Sequence, residues 1–307
     1  MEYKTLKDLS KEWGISERRI RQLIDEGRIQ GATKVGKSWL IPNDVKKPRD
    51  TRVVVKLSEF TINVPSNLTS IDEKLALLNS KRPFPTATIN SIKSNELIEW
   101  TYNSNGIEGN TLTLKETKVV LEGITIGGKS VKEHLEAINH KEAILYLEEL
   151  VGKDSVLTER DIKNIHQLVL KEIDQENAGR YRGEKVIISG ATHIPPDHIF
   201  VPEQMEQLIL DLKTWTKQYH PLVVSALLHG EFVKIHPFVD GNGRTARLLM
   251  NFIAIKNGFP PLIIRKEQRL EYYDALDHAH TTKDYTAFVK LVILVAEKSL
   301  DYYLSLI

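Results

Sequence analysis

The stretch that most constrains this chain is Lys234 to Met250, KIHPFVDGNGRTARLLM. Leu222 to Ile235, on its N-terminal side, is largely apolar and reads as a helix. Pro237 ends that helix, because the residue before a proline is pushed out of α geometry. A second helix is predicted from about Gly243, with Asn257-Gly258 as a good C-cap. Asp240-Gly241-Asn242-Gly243 stands between them. A histidine, an acid, two glycines, an asparagine and two arginines are therefore crowded into one bend between two apolar helices.

Glycines just before a helix let the backbone come close to a ligand, and the free N–H groups of the first turn point at it. This predicts an anion cradle, whose usual occupant is phosphate. Arg244 and Arg247 are three apart and share a helix face. Asp240 would repel a phosphate unless a divalent cation lay between them. Mg²⁺ resolves the conflict, because it is commonly held by one carboxylate plus substrate phosphates. His236, at the end of the first helix, is the natural general base for a hydroxyl nucleophile. The set predicts phosphoryl or nucleotidyl transfer. Singly, each residue has an ordinary structural reading as a cap, a core histidine or an ion-paired arginine. Only their order together points to chemistry. A metal hydrolase is disfavoured, since His236 and Asp240 lack the further ligands of a zinc or two-metal site.

A length of 307 residues suggests two units. No run of 18 apolar residues exists, so no membrane partner is expected. The first residues, MEYKTLKDLSKEWG, lack a signal-peptide core. With zero cysteines, disulfides and thiolate metal sites are excluded. A cytoplasmic location is the simplest expectation. Charge is uneven: residues 1–56 carry 14 Lys and Arg against 8 Asp and Glu, and the remainder 28 against 33. The basic head hints at a polyanionic partner.

Three zones follow. In the first, residues 1–50, Leu6, Leu9 and Trp13 share a helical face, and Ser16 caps a second helix bearing Ile20, Leu23 and Ile24. Two short helices joined by a tight turn read as helix-turn-helix. Lys34 to Pro42 then alternates around a glycine like a small β-wing. Residues 51–66 read as a linker. Residues 67–307 are mainly helical by periodicity, over 91–104, 113–122, 131–151, 158–172, 203–218, 221–235, 243–256, 267–279 and 284–306. The exception is 180–201, where a Val-Ile-Ile run, a Ser-Gly turn and Pro195-Pro196 suggest a protruding hairpin. Further upstream, Ser104 and Glu108 are four apart and share a helix face. Gly109-Asn110 ends that helix, and Thr113 with Glu116 makes a capping box.

His236-Pro-Phe-Val-Asp240-Gly241-Asn242-Gly243-Arg244-Thr-Ala-Arg247 resembles the signature of the Fic family at every defining position. Gly179–Gly190 resembles that family's flap, and Arg269–Leu276 the helix after its core. The resemblance covers most of residues 67–307. It implies an all-helical fold with a small β-hairpin flap, and transfer of AMP from ATP with Mg²⁺ to a Ser, Thr or Tyr hydroxyl of a target protein, or of the chain itself. It implies that His236 deprotonates the hydroxyl and Asp240 holds Mg²⁺. Gly241, Asn242 and Gly243 would cradle the α- and β-phosphates, Arg244 would meet the β-phosphate and Arg247 the γ-phosphate. The related Doc kinases carry Lys where Gly243 stands, so this chain resembles the nucleotidyl branch. Ser104-Asn-Gly-Ile-Glu108-Gly-Asn110 resembles the family's inhibitory motif, on a helix over about 95–109. It implies that Glu108 salt-bridges Arg247, with Ser104 in support, and blocks the γ-phosphate site. The same glutamate could orient a water for removal of AMP, so a de-AMPylase stays open. Residues 184–200 would line the target's peptide, with Val186, Ile187 and Ile188 as the strand that it joins.

The head resembles the winged helix-turn-helix modules of MerR and excisionase-like proteins. Arg18, Arg19, Arg21 and Gln22 on the second helix, with Lys34 and Lys37 on the wing, would face double-stranded DNA. Such heads often work as homodimers. The contrasting reading is a transcription regulator whose helical body only senses nucleotide.

Overall fold

The computed structural model describes residues 3–13, 16–25, 27, 29–36, 38–43, 45, 60–64, 68–153 and 156–307. The chain divides into two compact units, Met1–Lys56 and Leu57–Ile307.

In the first unit, β1 (Tyr3–Lys4) leads into α1 (Leu6–Trp13), followed by α2 (Glu17–Asp25), β2 (Thr33–Val35) and β3 (Ser38–Pro42). Thr5 and Asp8 cap α1 reciprocally: the Thr5 N–H donates to the Asp8 carboxylate at 3.0 Å, and the Asp8 N–H to Thr5 Oγ1 at 3.3 Å. Leu6, Leu9, Trp13, Ile20 and Leu23 from the two helices meet Ile29 and Ile41 in one small core. β2 and β3 form the expected hairpin, in the register Lys34 opposite Trp39, around Gly36 at φ 61°. Sequence periodicity misses β1, which pairs with the far edge of β3 and makes the sheet three-stranded, β1-β3-β2. A two-residue strand has too little alternation to be legible. The turn at Gly14-Ile15 lies outside the described residues, as do 51–59 and 65–67 of the expected linker.

The second unit is helical. Its elements are α3 (Leu68–Ser80), α4 (Thr86–Ile107), α5 (Leu114–Leu121), α6 (Val131–Gly152), α7 (Glu159–Val169), α8 (Val201–Gln218), α9 (Pro221–Ile235), α10 (Asn242–Lys256), α11 (Arg269–Thr282) and α12 (Thr286–Leu306). Reciprocal capping boxes start three of them: Thr113 with Glu116, Ser130 with Glu133, and Thr158 with Asp161. Each cap contributes about 1 kcal/mol to its helix.

α9 is apolar on every side, which is tolerable only in a core. Leu222, Val223, Val224, Leu227, Leu228 and Phe232 are accordingly buried. α8, α11 and α12 lie against α9, while α10 returns along it and meets α4, α6 and α7 on its other side. The bend between α9 and α10 is thereby fixed from both flanks. Residues 60–64, which read from sequence as linker, belong to this unit. Phe60 packs edge-on to Trp215 and Tyr285, and the Thr61 main chain bonds with Lys283 and Tyr285.

Two further expectations need correction. The periodicity does not predict α3, and α4 begins earlier than its apolar pattern suggests. α3 buries fully only Ile71 and Leu78, a seven-residue spacing too sparse to stand out. The hairpin expected over 180–201 is absent as well, since this segment forms no β ladder. Pro195 and Pro196 have no N–H to give. The Thr192 and His193 N–H groups donate to Asp277 Oδ1, at 2.8 and 2.9 Å, and the Glu184 and Pro196 carbonyls accept from Arg182. Side chains thus take main-chain groups at Glu184, Thr192, His193 and Pro196 in place of a facing strand. Val186 and Ile188 are half-buried and Ile187 is 83% exposed, but none of the three is in a strand.

Candidate active site

The site grows from the bend. His236 closes α9 in the left-handed region, at φ 50° and ψ 59°, with its N–H on the Phe232 carbonyl at 3.0 Å. That conformation costs a residue other than glycine about 1–2 kcal/mol. Burial lowers the His236 pKa to about 4. The Val233 main chain, Glu108 and Asp240 oppose the shift, and Arg182 reinforces it. At neutral pH the imidazole is uncharged and able to accept a proton.

Two buried side chains hold the bend. Asn242 donates to the Phe238 carbonyl at 2.9 Å and accepts the Phe238 N–H at 3.0 Å. That side chain is committed to the loop, and the Asn242 main-chain N–H, in the first turn of α10, is open to an incoming anion. His166 stacks on Phe238, with ring centroids 3.6 Å apart. Its Nδ1 accepts the Gly179 N–H at 2.9 Å, which leaves Nε2 to donate to the Asp240 carbonyl at 2.8 Å. Burial, above all, lowers its pKa to about 4, so the ring keeps this neutral tautomer.

Gly241 turns into α10 at φ 75°, and a side chain there would press on the His166 ring. Asn242, Gly243 and Arg244 form the first turn of α10, where the helix itself gives N–H groups no acceptor. Above this turn, at the positive end of the helix dipole, an anion is favoured. The Glu108 carboxylate lies there: a Cβ on Gly243 would run into Glu108 Oε1.

Glu108 is the C-cap of α4. Its Oε1 accepts from Arg247 Nη2 at 2.7 Å. Arg247 is 2% exposed and also donates to Ser104 Oγ at 3.0 Å, to the Ser104 carbonyl at 2.8 Å and to the Tyr272 hydroxyl at 3.3 Å. Burial alone would lower the Arg247 pKa, and the neighbouring Glu108 charge and Tyr272 raise it instead. Tyr272 donates its own hydroxyl proton to His229 Nε2 at 3.0 Å; burial, above all, holds that histidine neutral. Arg244 is equally buried, near Asp240 Oδ1 at 3.3 Å and Glu136 Oε1 at 3.2 Å.

Asp240 is half exposed. Partial burial pushes its pKa up, but Arg244, the Gly241 N–H at 2.6 Å and Lys132 outweigh that and lower it. It is ionised at neutral pH. Among the described residues, no three His, Cys, Asp or Glu side chains group to hold a metal. A single exposed carboxylate beside an anion cradle suits Mg²⁺ arriving with a nucleotide and does not suit a resident metal.

The structure therefore brings together His236, Asp240, Gly241, Asn242, Gly243, Arg244, Arg247, Ser104 and Glu108. Sequence reasoning misses His166, Arg182, Tyr272, His229 and Glu136. Lone residues of common type, 50 or more positions from their partners in most cases, leave no local signal. In the first unit, Arg18, Arg21 and Lys34 are exposed, and Arg21 pairs with Glu17 at 3.2 Å. Lys37 and the side chains of Arg19 and Gln22 lie outside the described residues. No described helix is long and apolar enough to cross a membrane.

Residues 156–254 match the profile of the Fic/DOC family. A protein adenylyltransferase Fic from Nematostella vectensis is 41% identical over 211 residues, 66% of this chain and 48% of its own length. One from Drosophila mojavensis is 37% identical over 243 residues, 77% of this chain and 47% of its own. The chain spans about half the length of these curated relatives. Among solved structures, a fragment of Fic-1 from C. elegans is 32% identical with a TM-score of 0.70, over 78% of this chain and 71% of that one. A Fic domain containing signaling protein from Bacteroides thetaiotaomicron is 27% identical with a TM-score of 0.69, over 78% of this chain and 94% of that one.

Proposed function

This chain belongs to the Fic/DOC family, and from that premise we propose that it transfers AMP from ATP to a hydroxyl side chain of a target protein. The observation that carries the reading is the bend itself. A neutral imidazole, the open first turn of α10 and two buried arginines converge there, and a carboxylate from α4 occupies the place of the anion.

Each residue then has a task. The α10 amides at Asn242, Gly243 and Arg244 receive phosphate oxygens. His236 takes the proton as the target hydroxyl attacks the α-phosphorus. The bond to pyrophosphate breaks in line, and the charge on the leaving group falls on the amides, Arg244 and Arg247. Mg²⁺ bound with the nucleotide would neutralise further phosphate charge, with Asp240 as its protein ligand. Glycine at 243 adds no side chain of its own to the cradle, whereas the Doc kinases place Lys there.

Glu108 is the brake. Its carboxylate lies over Gly243 and holds Arg247, so a triphosphate must displace it before the terminal phosphate can seat. Transfer of label onto protein from ATP radiolabelled on the α-phosphate, and not on the γ-phosphate, tests the whole reading.

For the first unit we propose a winged helix-turn-helix that binds duplex DNA through α2 and the β2–β3 hairpin. Exposed Arg18, Arg21 and Lys34 on those elements support it. Full-length chain is expected to be retained on duplex DNA at about 50 mM salt and released towards 200 mM, the range over which phosphate contacts weaken steeply. Retention that ignores salt, or none at low salt, rejects it.

A further inference from the structure

Arg182 is 3% exposed, yet its guanidinium pairs with no carboxylate among the described residues. The nearby Asp197 is engaged by Lys185 at 3.2 Å. Arg182 spends its donors on main-chain carbonyls. Nε donates to His236 at 2.8 Å, Nη1 to Glu184 at 2.8 Å, and Nη2 to Pro196 at 2.6 Å and to Ile235 at 3.5 Å. Its own N–H donates to the Pro237 carbonyl at 2.9 Å. A buried cation with such partners is costly unless its geometry serves a purpose.

We propose that Arg182 is a positioning residue that fixes the left-handed His236 and seats the 184–196 segment through one guanidinium, so that the base and that segment are held as one unit. The inference rests on the reading of His236 as general base. Three observations carry it. A left-handed histidine persists only where its surroundings over-determine it, and the Arg182 guanidinium grips the carbonyls of Ile235 and His236, while its main-chain N–H holds that of Pro237. These carbonyls end α9, where the helix dipole favours a cation. A simple cap would need one of them. Arg182 joins them to Glu184 and Pro196, the two ends of a segment without a ladder of its own, and only a planar fork of several donors reaches that many acceptors. Removing the fork frees the His236 backbone and unties both ends of the segment. The Arg182 charge also acts directly on the imidazole, together with burial and against the Val233 main chain, Glu108 and Asp240.

The test uses the full chain carrying Glu108→Gly, so that transfer is measurable, with Arg182→Gln and Arg182→Lys added separately. Self-labelling is followed with ATP radiolabelled on the α-phosphate plus Mg²⁺. Arg182→Gln is expected to lose about 100-fold in rate at saturating ATP, the scale of an ångström-sized misplacement. The KM for ATP stays within about threefold, because the cradle is built on α10. Arg182→Lys, which keeps the charge and loses the fork, recovers less than a tenth of the parent rate. In parallel, the His236 ring is titrated by NMR on histidine-labelled protein and assigned by its loss in His236→Ala. Its pKa rises in Arg182→Gln and moves less in Arg182→Lys. A rate within about twofold of the parent in Arg182→Gln, or an unmoved His236 titration, overturns the proposal. If Arg182→Gln fails to fold, the Lys variant takes its place, and a rate within about twofold of the parent there overturns the proposal equally. If the parent transfers no label, the adenylyl-transfer reading fails, and hydrogen exchange of the 184–196 amides decides the positioning: faster exchange in Arg182→Gln supports it, and unchanged exchange overturns it.

Discussion

His236→Ala is expected to abolish label transfer while ATP stays bound. General-base assistance contributes about 10²–10⁴-fold, so the residual rate falls to a hundredth or less. The two effects separate because they live on different elements. The base sits at the end of α9, and the amides that receive phosphate sit at the start of α10. Alanine is a poor occupant of the left-handed backbone at 236 and costs about 1–2 kcal/mol there. His236→Asn is the control, because asparagine tolerates that region and cannot serve as a base. Both variants are made on the Glu108→Gly chain, and fluorescent ATP-analogue binding is measured beside transfer. Either variant labelling protein at the parent's rate would remove His236 from the mechanism. Loss of nucleotide binding in the asparagine variant would mean that the bend, and not the base, had been broken.

Glu108→Gly is expected to raise transfer about 100-fold. An exposed Glu–Arg pair is worth only about 0.5 kcal/mol and would restrain nothing. This pair differs because Arg247 is buried and Glu108 is about one-third exposed, held also by Ser104 and Tyr272 through the same guanidinium. Breaking a pair largely out of water costs about 3 kcal/mol or more, which is about 100-fold in the population able to seat a triphosphate. Displacement of the carboxylate from above Gly243 adds to the gain. Glycine at the C-cap of α4 leaves the helix intact, but Arg247 loses its carboxylate, so the melting temperature should fall by about 5–10 °C. Glu108→Gln, which keeps the shape and loses the charge, falls between parent and glycine. An unchanged rate of protein labelling in both variants would show that the contact is structural and restrains no reaction.

The parts of this site that are legible in the sequence are local. Pro237, Gly241 and Gly243 fix a helix end, a left-handed entry and an open first turn within a few residues of one another. Those constraints act over a single bend, so they can be read without the fold. The brake is half legible. The four-residue spacing of Ser104 and Glu108 gives a shared face, but their meeting with Arg247, 139 positions beyond Glu108, comes from the family resemblance alone. His166, Arg182 and Tyr272 are not legible, because each is a common residue whose partner lies on a distant segment. The strand expected at Val186 to Ile188 fails for a related reason. A β-branched run supplies propensity, but a ladder needs a facing strand, and Asp277 and Arg182 hold Thr192, His193 and Pro196 by their main-chain groups instead.

The most direct test of the central claim asks which phosphorus of ATP ends on protein. The Glu108→Gly chain is incubated with Mg²⁺ and ATP radiolabelled on either the α- or the γ-phosphate, and protein-bound label is counted after denaturation. Label is expected from the α-phosphate alone, with its loss in His236→Ala. Label arriving from the γ-phosphate, or from neither, would contradict the claim.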